Sequence, residues 1–167
     1  MTFPDKIFKV GFIKLITVSL FACSTNNDDG AISGEKTVNL HVCNIDSKVM
    51  RNIIDNVIIQ DLIESRIKPD KNFIHLEIIS DNGIIYLQAY SWEINHCYDY
   101  ISTVDGWFVR DDYQFVITDS TKKYFSYTPQ THVFNYYYIS EPDFTDEMEW
   151  IIEVNKDSYL VKYRFKG

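Results

Sequence analysis

Glycine and proline are scarce in this 167-residue chain, at six and four residues. No Gly-rich phosphate loop and no Gly-x-Ser-x-Gly elbow occurs, and no carboxylate pair stands in a recognisable hydrolase context. The motif-defined nucleotide-binding and hydrolase classes therefore have no support. No run of Lys and Arg follows residue 22, which argues against nucleic acid and against charge-driven docking on anionic head groups. Long apolar runs are missing too. Lys14 interrupts the stretch that starts at Val10, leaving far fewer than the ~20 residues that cross roughly 30 Å of hydrocarbon. There is no internal repeat.

What is present begins at the N-terminus. Lys6, Lys9 and Lys14 precede an apolar run, Leu15 to Ala22, that ends Leu20-Phe21-Ala22-Cys23. A basic start followed by a short apolar core is a secretory pattern. Leu20 to Cys23 resembles the lipobox of bacterial lipoproteins, although Phe21 is bulkier than the residue usual there. The resemblance implies cleavage after residue 22, a diacylglyceryl group on the Cys23 thiol and further acylation, palmitate included. Two or more chains make anchoring stable, because each buried methylene contributes about 0.8 kcal/mol. Residues 24–30, Ser-Thr-Asn-Asn-Asp-Asp-Gly, read as a solvated tether. They also resemble the acidic stretch of surface lipoproteins of the Bacteroides group. The expected organisation is a signal peptide over 1–22, a flexible tether over 23–35 and one domain over 36–167. The expected location is the cell envelope at the outer membrane, on its periplasmic or surface face.

The leader holds three of the 16 basic and one of the 24 acidic residues, so the remainder carries 13 basic and 23 acidic residues and a formal charge of −10. With 12 Tyr and 11 Phe in the whole chain, the composition leans towards sheet. Val38, Leu40 and Val42 alternate with Asn39 and His41, the period of a half-buried strand. Asp46 or Ser47 then caps a predicted helix with an apolar stripe of Val49, Met50, Ile53, Ile54, Val57, Ile58 and Leu62. Arg51, Asp55, Asp61 and Glu64 are expected off the stripe, and Pro69 ends the helix near Arg66. Strands follow in hairpins: 73–79 with 84–90 around Asn82-Gly83, 107–110 with 113–118 around Asp111-Asp112, 124–127 with 133–139 around Thr128-Pro129-Gln130, and 150–154 with 159–165. In the last strand Tyr159, Val161, Tyr163 and Phe165 are expected on one face. The predicted class is α+β, one N-terminal amphipathic helix packed on a curved antiparallel sheet. A cystatin-like roll is the sketch by element order, and a partly closed β-barrel the alternative.

Chemistry-bearing residues are few. Cys43 and Cys97 are a candidate disulfide, since an exported chain with Cys23 acylated retains an even pair. His96, Cys97 and Asp99 are sequence neighbours whose side chains alternate between faces on a strand, which disfavours a catalytic thiol. His75 and Glu77 share a strand face, with a surface cross-strand pair the favoured reading over two metal ligands. The acidic residues from Glu141 to Glu149 lack EF-hand spacing. No metal, cofactor or catalytic residue is expected. Asp119-Ser120-Thr121 resembles an O-glycosylation acceptor of the Bacteroides group. Trp92, Trp107, Tyr136 and Tyr138 are the candidate binding aromatics, suited to stacking on a glycan or anchoring a protein interface. The expected function is a non-enzymatic binding or recognition module held to the membrane by its lipid, with an unknown protein or glycan partner. An exported hydrolase with an unrecognised site and an inhibitor or immunity protein are the alternatives.

Overall fold

Strand β1 (Gly34–Ile45) alternates as its sequence dictates, with Val38, Leu40 and Val42 turned to one face. The computed structural model describes residues 34–94, 104–118, 123–138 and 148–165. Helix α1 follows over 48–64. Ser47 caps it, its Oγ accepting from the Met50 N–H at 3.3 Å. The middle of α1, Ile54–Ile58, is a wider π-helical turn in which the Ile59 N–H donates to the Ile54 carbonyl. On a regular α-helix Ile59 would lie opposite Met50. The wide turn delays the rotation and brings Ile59 to the buried side, fully covered.

The end of α1 is a Schellman motif. The Ile67 N–H reaches the Leu62 carbonyl at 3.0 Å and the Arg66 N–H reaches that of Ile63 at 3.1 Å, with Arg66 at φ 59°. That conformation suits glycine and strains a residue with a Cβ. Arg66→Gly is therefore expected to stabilise the fold by about 0.5–1 kcal/mol, less if the looser unfolded chain offsets more of the strain. Urea unfolding at constant m-value measures it, and a loss of stability would refute the strain.

Strands β2 (Asn72–Asp81), β3 (Ile84–Glu93), β4 (Val104–Arg110), β5 (Tyr113–Thr118), β6 (Phe125–Tyr138), β7 (Glu149–Val154) and β8 (Tyr159–Phe165) complete one sheet of eight, ordered β6-β1-β4-β5-β2-β3-β7-β8. Asn82 and Gly83 both have positive φ between β2 and β3, as do Asp111 and Asp112 between β4 and β5. These are the two-residue hairpins expected of such turns. The β7–β8 hairpin also forms, closed by Asn155 N–H to the Ser158 carbonyl at 2.9 Å.

Among the described residues the fold is α+β, with one helix of 17 residues on an open, curved sheet. Three expectations are corrected. The sheet is mixed, because the β4–β5 hairpin lies between β1 and β2 and pairs parallel with each. Turn residues reveal local hairpins and are silent about which strands they insert between. The sheet is not a barrel: β6 and β8 are its two ends. Thr128-Pro129-Gln130 is no hairpin turn. Residues 125–138 run as one strand along β1, and between His41 and Cys43 the partner advances from Thr131 to Tyr127. Those three residues bulge out, as suits a proline that cannot donate to the ladder.

Alternation divides the core between the two faces. Under α1 lie Met50, Ile53, Ile54, Ile58, Ile59 and Leu62, packed on Ile74, Leu76, Leu87, Phe115, Ile117 and Trp150. Each isoleucine so covered contributes about 1.5–3 kcal/mol. Asp61 is also buried, 3% exposed, against the expectation that it falls off the stripe. Its spacing, four residues after Val57 and seven after Ile54, places it on that stripe whatever its polarity.

Candidate functional site

The face of the sheet away from α1 is set by register. Phe73 stands opposite Trp92, His75 opposite Tyr90 and Glu77 opposite Gln88 across β2 and β3. Tyr90, Gln88 and Tyr86 in turn face Glu149, Ile151 and Glu153 across β7. Beyond β7 the sequence-level alternation breaks. Ile151 pairs with Tyr163 and Ile152 with Val161, so Lys162 is an extra residue. Such a bulge moves all later side chains to the other face. Leu160, Tyr163 and Phe165 consequently share this face, while Tyr159, Val161 and Arg164 turn towards α1. The expected grouping of Tyr163 and Phe165 with Tyr159 and Val161 is thus corrected.

Half of this face is closed. Leu40, Phe73, Trp92, Val104, Val116, Phe134 and Tyr136 form a second apolar cluster, each at most 8% exposed. Phe73 meets Phe134 edge-on at 5.2 Å, and Phe134 stacks on Tyr136 at 6.1 Å. Three nominated aromatics gather here. Trp92 and Tyr136 are buried within the cluster as packing residues, and Trp107 is half-buried at its margin, stacked on His132 at 3.8 Å. Tyr138 ends β6, paired with Gly34, and its side chain lies outside the described residues.

The other half, over β3, β7 and β8, is open. Leu160, Tyr163 and Phe165 are 53%, 43% and 45% exposed, an unusual concentration of apolar surface on one seven-residue strand. Beside them runs a polar row. The Gln88 amide donates to Glu149 Oε1 at 3.1 Å and to the Tyr90 hydroxyl. Burial raises the Glu149 carboxyl above its ordinary pKa, a shift that its hydrogen bond with Tyr90 opposes. Burial likewise raises Glu77. His75 shares the face of Glu77 as expected, but it is buried and not at the surface. It stacks on Tyr90 at 6.5 Å, and burial lowers its pKa to about 4. Flat amphipathic rings beside half-buried carboxylates suit a partner with both apolar and cationic groups.

The remaining nominated residues lie elsewhere. Cys43 carries a free, buried thiol on the α1 side of the sheet. It donates to the His41 carbonyl at 3.3 Å, and burial pushes its pKa up to about 11. Cys97, its proposed disulfide partner, lies outside the described residues, as do Cys23, His96, Asp99, residues 119–121 and Glu141 to Glu147. Among the described residues no group of three His, Cys, Asp or Glu side chains is placed to hold a metal ion. Sequence reading missed Gln88, Tyr90, Glu149, Leu160, Tyr163 and Phe165. Alternation signals the first three once the register is known, whereas the last three depend on the bulge at Lys162. No protein-family model, no curated protein and no solved structure matches the chain.

Proposed function

We propose that this chain is a lipid-anchored cell-envelope protein that binds a partner through the open half of its helix-free face. Cys23 is the acylated residue, the segment before the domain is the tether, and the outer membrane is the location. The observation that carries the binding reading is the set of exposed Leu160, Tyr163 and Phe165 side chains beside Glu77, Gln88 and Glu149. Solvent-facing aromatics contribute little to a fold and are typical anchors of an interface.

Cys23→Ala is expected to abolish metabolic labelling with palmitate and to release the protein from the membrane fraction, since one sulfur carries the anchor. Unchanged labelling would remove the anchor. For the face, hydroxyl-radical footprinting of the full chain in cell envelopes, against the purified chain in detergent, is expected to show Tyr163 and Phe165 protected in the envelope. Equal modification in both would remove the binding reading.

A further inference from the structure

Among the described residues, strand β8 pairs with β7 on one side only and ends the sheet. Its outer side presents a row of backbone N–H and C=O groups, the template on which an extended chain can pair. Natural edges are commonly blunted by proline, by bulges or by free charges. The opposite edge, β6, carries Pro129 in a bulge. Strand β8 has no proline, its bulge is confined to Lys162 with regular pairing on either side, and its two charges are paired within the protein. Lys162 pairs with Glu153 at 3.3 Å and Arg164 with Asp61 at 3.1 Å. What remains along the edge is apolar and aromatic.

We propose, resting on the binding reading above, that β8 takes up an extended polypeptide segment as a ninth strand, and that this segment alternates basic with apolar residues. The charge of the face selects the partner. Glu77 and Glu149 line it, in addition to the Glu153 that Lys162 pairs, and the chain as a whole is at −8. A basic side chain laid across β8 passes over the rings of Tyr163 and Phe165, where a cation is favoured, and reaches Glu149, the β7 partner of Phe165, about 5 Å further on.

The test uses the full chain in detergent and a fluorescent heptapeptide of alternating arginine and valine, read by anisotropy. Saturable one-to-one binding is expected, at least about tenfold weaker when glutamate replaces the arginines. Two further peptides are N-methylated on alternate amides, one in each register. One register is expected to lose at least about tenfold, because its N–H groups face the edge. Tyr163→Ser with Phe165→Ser, at exposed positions that leave the fold intact by circular dichroism, is expected to weaken binding by a similar factor. Equal binding of basic and acidic peptides, indifference to both N-methyl registers, or dimerisation in place of binding would each overturn the proposal. If no peptide binds while Tyr163 and Phe165 remain protected in envelopes, the added strand is refuted and the binding face stands. Loss of that protection as well refutes both.

Discussion

Asp61→Ala is expected to destabilise the fold by about 3 kcal/mol and to lower the melting temperature by roughly 10 °C. The Asp61 carboxylate accepts from the Trp150 indole N–H at 2.8 Å through one oxygen and from Arg164 at 3.1 Å through the other. Trp150 is fully buried, so removing its acceptor strands an N–H away from water at about 1–3 kcal/mol. The Arg164 side chain is 43% exposed, and its loss of a partner adds less. Arg164→Ala alone is accordingly expected to cost only about 1 kcal/mol. Urea unfolding of the two variants beside the parent separates these shares. Equal effects would mean that the ion pair, and not the indole, holds the helix to β7 and β8.

The second large effect depends on pH. His75 is 2% exposed and its pKa falls from 6.5 to about 4 through burial. Between those values the unfolded chain binds a proton that the folded one does not, so stability is complete above pH 6.5 and declines as pH falls towards 4. The full shift corresponds to about 3 kcal/mol. Glu77 beside it and Glu149 beyond Tyr90 act with opposite sign. Their raised pKa values add stability as pH falls through the carboxylate range. Comparing the parent with His75→Phe cancels that contribution while keeping a ring against Tyr90. The parent is expected to lose about 3 kcal/mol more than the variant between pH 7 and pH 4. Parallel stability curves would show that His75 takes up its proton without unfolding.

Where local chemistry decides, the sequence was a good guide. Ser47 caps α1, Asn82-Gly83 turns β2 into β3, and the stripe from Val49 to Leu62 is buried. It was silent where distant elements decide. Nothing in β4 or β5 signals insertion between β1 and β2, because parallel pairing leaves no turn between the partners. Trp92 and Tyr90 share one face of β3, yet Trp92 is buried and Tyr90 only half so. Period shows which side chains share a face and not how that face is covered. At the site a single extra residue, Lys162, decides the outcome by sending Arg164 towards Asp61 and Tyr163 and Phe165 to the open face. One residue of slip reverses every later side chain.

Site-specific photocrosslinking in living cells reads out whether the open face meets a partner. A benzophenone amino acid replaces Tyr163 on the open face or, as the control, Val133, which is 55% exposed on β6 near the far end of the sheet. A discrete adduct is expected from position 163 and none from position 133. No adduct at either position, or the same adducts from both, would contradict it.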